Sequence, residues 1–265
     1  MNETANFDVL AKSYDHSFTN SLTGHRQRMR TRKWLLRFLQ GRGRLKILEI
    51  NCGTGEDAIW LASLGHEVTA TDISTAMIEA CQDKLQFSNR RQPFFSTCAF
   101  DQLDKSFAPE SFDLVFSNFA GLNCLDLYQL EQLLSTLNNL IKPGGNFAAV
   151  IFGRFCVVEI FYFLLKLKPQ QAFRRWRSGP VMVPLAEEAV QPVYYHSIKK
   201  LEAGQYFRLL TRRPVGLLIP PSYLEGLVKK YRALFNFLFR MEDKTAFSWN
   251  ASMADHTYVL LKKQE

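Results

Sequence analysis

Residues 47–62 read ILEINCGTGEDAIWLA, and this segment limits the possible folds more than any other in the chain. A short apolar run rich in isoleucine reads as a buried strand. It enters a turn that holds Gly53 and Gly55, and a helical pattern opens directly behind them. Glycine there permits positive φ and lets the backbone come close to a ligand. The first N–H groups of the following helix have no partner inside it, so the turn offers donors to a polar or anionic group. Such a strand–turn–helix unit is at home in an open α/β sheet, whose ligands sit beyond the carboxyl ends of the strands.

The rest of the chain keeps the same rhythm. Strand patterns lie at 46–50, 67–71, 93–99, 112–117, 146–152, around 207–218 and at 256–262, and helical patterns at 26–40, 55–64, 74–87, 127–141, 197–206 and 222–240. In the fourth helix Leu130, Leu133, Leu134, Leu137 and Ile141 share one face. Strands alternating with helices, joined by right-handed crossovers, predict an α/β fold with a doubly wound Rossmann-like sheet. The sheet is expected to be mostly parallel with a C-terminal antiparallel strand, and helices on both faces. The expected organisation is a helical lid at 1–45, a cofactor-binding core at 46–153, a substrate-side insertion at 154–195 and a completion of the core at 196–265, with a second lid near 219–250. The apolar run 155–168 is too short and too charged to span a bilayer, and Pro169, Pro180, Pro184 and Pro192 predict a loop-rich stretch after it.

Composition narrows the class. With 47% hydrophobic and 22% charged residues the chain is expected to fold around a full core. Its first residues have neither a basic start nor an apolar run, which argues against a secretory signal. The five cysteines, at 52, 81, 98, 124 and 156, form no CxxC pair, so reduced thiols in a cytoplasm are expected, without zinc or another metal. The net charge of +8 is spread over short clusters: Arg26, Arg28, Arg30, Arg32 and Lys33; Arg174, Arg175 and Arg177; Arg208, Arg212 and Arg213. Runs this short read as solvated surface, with attraction to an acidic substrate or a membrane surface as the second reading.

The turn alone leaves two cofactors open. Gly53-x-Gly55-x-x-Ala58 satisfies a dinucleotide fingerprint, and Asp72 at the end of the next strand stands where that fingerprint places its ribose contact. Glu49, just before the turn, decides between them. A carboxylate there repels a pyrophosphate but suits a ligand that carries an ammonium and a sulfonium.

With Glu49 in place, LEINCGTG resembles the first motif of class I S-adenosylmethionine-dependent methyltransferases, with Asn51 where the first glycine usually stands. Asn tolerates the left-handed region better than most residues. EVTATDIS (67–74), FDLVFSNFAGLN (112–123), LIKPGG (140–145) and FDVLAKSYD (7–15) resemble later segments of the same family, in the same order. The resemblance implies a cradle for S-adenosylmethionine at Glu49, Asn51, Cys52, Gly53 and Gly55, with Asp72 holding the ribose hydroxyls and Ile73 and Met77 flanking the adenine. It implies Asn118 and Phe119 beside the reacting centre and Tyr14 and Asp15 in a lid over it. The family often carries an acidic residue near position 99; this chain has Ala99-Phe100-Asp101, which leaves Asp101 or the Phe100 backbone for the adenine amino group.

Methyl transfer from a sulfonium depends mainly on alignment, and a general base is needed only for a protonated nucleophile. His196 is the base candidate and Tyr14 the residue to orient an acceptor. The segments 154–195 and 219–250, rich in Phe, Tyr, Leu and Arg, point to a small lipophilic or aromatic acceptor, with weak membrane-surface association through 222–240 as a variant. No nucleic-acid partner is expected, since neither an appended RNA module nor an NPPY/F-type tetrapeptide is present. A non-catalytic binding protein of the same fold and an NAD-dependent oxidoreductase are the alternatives; the latter lacks a Tyr-x-x-x-Lys constellation.

Overall fold

The computed structural model describes residues 5–86, 93–185, 190–202 and 206–264. Seven strands form one sheet in the order β3-β2-β1-β4-β5-β9-β8. They are β1 (Lys46–Ile50), β2 (Glu67–Asp72), β3 (Phe94–Thr97), β4 (Phe112–Ser117), β5 (Ile141–Phe152), β8 (Phe207–Val215) and β9 (His256–Lys263). β1 to β5 pair in parallel, and β9 runs antiparallel to both β5 and β8. This is the expected doubly wound sheet. The last strand of the chain is inserted between β5 and β8, so its first residue, His256, pairs with Phe152, near the carboxyl end of β5.

The period-two alternation of the strands sorts their side chains onto two faces. Ile47, Leu114, Phe116, Ala148, Val150, Tyr258 and Leu260 pack on one face against the helices Leu22–Leu39, Glu56–Ser63 and Thr75–Gln86. Leu48, Val115, Phe147, Ala149, Ile151, Val259 and Leu261 pack on the other face, largely under the helix Leu127–Leu140. That helix begins at a capping box, in which Asp126 and Gln129 satisfy each other's backbone N–H groups. The leucines 130, 133, 134 and 137 that predicted its buried face are all in the core.

Outside the sheet the sequence patterns break differently. The segment 1–45, expected as a helical lid, holds three short pieces, Ala5–Asp8, Ala11–Tyr14 and Asp15–Thr19, and the long helix Leu22–Leu39, with 1–4 outside the described residues. The helix expected at 222–240 is a 3₁₀ turn followed by Glu225–Lys230 and Arg232–Thr245. Of the helix expected at 197–206, Ile198–Glu202 is present, and 203–205 lie outside the described residues. The apolar run after β5 is a helix, Val157–Leu165, but not a core helix: Phe161 is 68% and Leu165 84% exposed. Beyond it the described part of the proline-rich stretch holds a short helix, Pro169–Ala172, a 3₁₀ turn, Arg174–Trp176, and an antiparallel strand pair, β6 (Val181–Pro184) and β7 (Val190–Val193). Among the described residues no helix is long and apolar enough to cross a membrane.

The basic cluster at 26–33 is not a solvated face. Arg28 and Arg30 are 8% and 2% exposed. Arg28 and Arg32 pair with Asp57, and Arg30 and Lys33 with Asp243. Arg26 and Arg30 also stack on the Phe239 ring. The helix Leu22–Leu39 is thereby fastened to the core by charge as well as by Trp34, Leu35 and Leu39.

Candidate functional site

The carboxyl ends of β1, β2 and β4 converge on the glycine turn. Asn51 leaves β1 in the left-handed region, with φ 51°. Its side chain bridges to the end of β4, donating from Nδ2 to the Asn118 carbonyl (2.8 Å) and accepting from Ser117 Oγ (2.6 Å). An asparagine in the place of a glycine therefore has a physical reason here: its amide stitches two strand ends that a glycine would leave apart. Cys52 N donates to the Thr71 carbonyl, and Gly53 N to Asp72 Oδ2 at 2.8 Å. The other oxygen of Asp72 accepts from Ser74 N (3.0 Å). The cap of the next helix falls to Ser74, whose Oγ accepts from Met77 N, so Asp72 is not spent as a helix cap.

Gly55 opens the helix Glu56–Ser63 at φ 78°, and no side chain caps it. A Cβ on Gly55 would stand 2.7 Å from the Phe95 ring and 2.8 Å from Cys81 Sγ. Left-handed strain plus overpacking sets the expected cost of Gly55→Ala at about 2–4 kcal/mol, read as a lowered midpoint in urea unfolding at unchanged slope.

The N-terminal helical pieces are latched onto this turn. Asp15 accepts from Thr54 Oγ1 (2.6 Å) and pairs with Lys84 Nζ (2.6 Å), which also bonds the Thr54 carbonyl and Glu56. Burial pushes the Asp15 carboxyl up, but Lys84 and Thr54 outweigh it and hold the group below its ordinary value. Asp8 accepts from Ser74 Oγ at the second turn. Tyr14 then hangs over the cradle, its ring 3.8 Å from where a Gly53 Cβ would be. Burial raises the Tyr14 phenol to about 12, against a lowering by Arg28, so it is a proton donor rather than a base near neutrality. Because Lys84 holds Asp15 and the glycine turn together, Lys84→Met is expected to speed release of S-adenosylhomocysteine roughly fivefold, as a partly buried ion pair of about 1 kcal/mol implies, measured by stopped-flow displacement.

Glu49 is the electrostatic anomaly of the site. It is 1% exposed, and its Oε2 is buried with no hydrogen-bond partner. Burial, then the charge of Asp57, drive its pKa well up, with Arg28 pulling the other way. Asp57 is by contrast fully engaged: it receives Arg28, Arg32 Nε (2.7 Å) and Asn118 Nδ2 (2.7 Å). Burial works against its charge, yet the two arginines keep its pKa lowered. Asn118 is held at its other end too, its Oδ1 accepting from Phe119 N. Phe119 and Ala120 both take positive φ, 50° and 62°, which is costly for residues with side chains and concentrates at functional sites.

The remaining candidates fall into place around this centre. Met77 is buried and Ile73 half-buried directly after Asp72. Cys98 N donates to the Asp72 carbonyl, which brings Phe100 and Asp101 to the same edge, Phe100 half-buried and Asp101 exposed. His196 is not at the cradle: its Nε2 bonds the Leu125 carbonyl (2.9 Å) at the start of the helix Leu127–Leu140, its ring lies parallel to Tyr194, and burial lowers its pKa. Arg28, Asp57 and Lys84 carry the cradle without having been singled out from the sequence. Their partners lie 25 or more residues away in the chain, so only the folded chain pairs them.

The comparisons with known proteins bear on this geometry. A family model described as a methyltransferase domain matches residues 47–145. A demethylmenaquinone methyltransferase from Renibacterium salmoninarum is 30% identical over 191 residues, covering 69% of this chain and 74% of that protein. The chain belongs to the class I S-adenosylmethionine-dependent methyltransferases. Rat glycine N-methyltransferase is 32% identical over 123 residues, although this match spans only 42% of each chain. Among solved structures, an S-adenosylmethionine-dependent methyltransferase from Methanosarcina mazei superposes with a TM-score of 0.58 at 18% identity, covering 87% of this chain and 96% of that one, a likeness of fold.

The residues of this methyltransferase fit its cofactor. An unpartnered, buried Glu49 oxygen is a standing site for a ligand cation, and an ammonium would satisfy it. A second cluster needs a different reading. Cys156, Glu159 and Asp255 offer ligand atoms within 4.8 Å of one another, but Arg175 lies between the two carboxylates, bonding Glu159 Oε2 (2.5 Å) and Asp255 Oδ1 (2.7 Å). Its guanidinium already supplies the positive charge that those carboxylates require.

Proposed function

We propose that this methyltransferase acts on a small, lipophilic, aromatic acceptor. One observation carries the reading. An unbroken run of ring contacts leaves the cradle: Tyr14 meets Phe18 at 5.4 Å, Phe18 meets Phe119 edge-on at 4.8 Å, Phe119 meets His256 at 6.0 Å, and His256 stacks on Phe152 at 4.7 Å, which touches Tyr195 at 5.6 Å. Aromatic walls with few polar groups suit a flat apolar ligand, and their negative faces suit a neighbouring sulfonium. The similar demethylmenaquinone methyltransferase, by its name, acts on an aromatic ring system of this kind.

When bound, S-adenosylmethionine supplies an already activated methyl group. In this reading Glu49 takes the ammonium of the donor, Asp72 the ribose hydroxyls, and Ile73 and Met77 the faces of the adenine. The Phe100 backbone or Asp101 serves the adenine amino group. Asn51, Cys52, Gly53 and Gly55 shape the turn against the ligand, and Asn118 and Phe119 border the reacting centre, held there by Asp57. Tyr14, protonated near neutrality, donates rather than accepts. The chemistry is alignment and exclusion of water by the lid, which can supply about 7–11 kcal/mol of the barrier reduction. We propose no metal, no nucleic-acid partner and a cytoplasmic location, in keeping with five scattered cysteines that form no CxxC pair. Leu234 and Phe237, exposed on the helix Arg232–Thr245 beside Lys229 and Lys230, would supply any weak contact with a membrane surface.

The test is turnover. With S-adenosylmethionine as donor, reduced menadione is expected to be methylated and glycine is not, scored by mass spectrometry of the products. Methylation of glycine with no reaction of the naphthohydroquinone would overturn the aromatic reading.

A further inference from the structure

We infer that His256, held by Asp255, is the group that accepts the proton of the acceptor. The inference rests on the aromatic-acceptor reading above, and goes beyond it by assigning a base and a class of acceptor: an aromatic hydroxyl rather than an already unprotonated nucleophile.

Position comes first. His256 opens β9, and because that strand runs antiparallel beside β5 its first residue stands opposite Phe152, on the edge of the sheet where the cofactor turn lies. The ring is stacked on Phe152 with an interplanar angle of 26° and meets Phe119 at 84°, which makes it part of the aromatic wall. Phe119 also lies beneath the Arg28 guanidinium at 4.7 Å, so the wall is braced from the cradle side.

Chemistry comes second. His256 Nδ1 is 3.2 Å from Asp255 Oδ2, at hydrogen-bond distance though bent away from ideal alignment. Asp255 is fixed in turn: Oδ1 receives Arg175 (2.7 Å) and Oδ2 receives Gln27 Nε2 (2.9 Å). Burial alone would push the Asp255 carboxyl up, but His256 and Arg175 together hold it far below the usual carboxylate range. An ionised carboxylate at Nδ1 selects the tautomer with its proton on Nδ1 and its lone pair on Nε2. Among the described residues Nε2 makes no hydrogen bond. It is a base with an orienting partner and without a competing donor.

Among the described residues no other histidine is its equal. Of the five histidines, His196 is committed to the Leu125 carbonyl, His66 accepts from Leu45 N at the opposite edge of the sheet, and His16 and His25 are exposed. Tyr14 is protonated near neutrality. In the step, the O–H bond of the acceptor breaks and its proton passes to Nε2. The oxygen pair forms the new bond to the methyl carbon as the C–S pair returns to sulfur. The imidazolium then gives its proton to water.

A chromophoric phenol reads this proton directly, without turnover. 4-Nitro-1-naphthol is titrated into the protein saturated with S-adenosylhomocysteine, in a buffer on the acid side of the phenol's own ionisation. The proposal expects the bound ligand to show the visible phenolate band in the wild type. It expects His256→Gln to lose that band while S-adenosylhomocysteine affinity by calorimetry stays within about twofold, and methylation of reduced menadione to fall by about 10²–10⁴-fold. Saturable binding without the band, or the same band in His256→Gln, overturns the assignment of His256 and leaves the aromatic-acceptor reading standing. No saturable binding to either protein overturns that reading, and this proposal with it.

Discussion

Arg175→Met is expected to lower the stability of the folded protein by about 3–5 kcal/mol, the usual cost of leaving a buried charge without its partner. Arg175 is 3% exposed and bonds two carboxylates that are themselves buried, Glu159 at 0% and Asp255 at 1%. It also donates to the Gly153 and Asp255 carbonyls, so one side chain joins the end of β5, the start of β9 and the segment after β5. Glu159 gathers Arg174 and the Tyr223 hydroxyl as well. Methionine has similar bulk and none of these donors.

The pH dependence separates this cause from simple loss of packing. Burial raises the Glu159 and Asp255 carboxyls, but their arginine partners, with His256 for Asp255, hold both below their ordinary values in the folded protein. A depressed folded pKa contributes stability that is present above the unfolded value, near 4, and is lost as pH falls through the folded one. In Arg175→Met that contribution is gone, so the deficit is largest at neutral pH and narrows in acid as the orphaned carboxylates protonate. Urea unfolding at pH 7 and below pH 4 measures it; an equal deficit at both would show that charge is not the cause.

Glu49→Gln moves two observables in opposite directions. Without ligand, the substitution replaces a buried, unpartnered carboxylate by a neutral amide, and a gain of about 1 kcal/mol is expected, or roughly 2–4 °C in Tm. The raised pKa fixes the sign: a group whose folded pKa lies above its unfolded value costs stability as pH rises through the folded pKa, so the gain grows toward alkaline pH. With ligand, the charge-assisted bond to an ammonium is lost, at about 1.5–3 kcal/mol or about 10–150-fold in Kd. A residue that served only the fold would not be improved by its own removal.

How much of this the sequence carried depends on chain distance. The glycine turn was legible because strand, turn and helix are consecutive, and the left-handed Asn51 followed from its place in that turn. The sheet was legible from alternation, which burial on two faces enforces. Arg28 was not, because a basic run on a helix looks solvated until Asp57 is brought beneath it from another helix. In the apolar run after β5 it is Glu159 that is buried, through its arginines, while Phe161 and Leu165 are exposed, a reversal that hydrophobicity alone does not reveal. His256 had a signal that was available: the first residue of an antiparallel final strand must lie at the carboxyl edge of its parallel neighbours, which is where ligands bind.

In the proposed function Glu49 makes this turn a cradle for a cationic methyl donor and not for a dinucleotide. Isothermal calorimetry with S-adenosylhomocysteine and with NAD, on the wild type and on Glu49→Gln, distinguishes the two. The wild type is expected to bind S-adenosylhomocysteine and not NAD, and Glu49→Gln to bind S-adenosylhomocysteine about 10–150-fold more weakly. Binding of NAD in preference to S-adenosylhomocysteine, or an affinity for S-adenosylhomocysteine indifferent to Glu49, would contradict it.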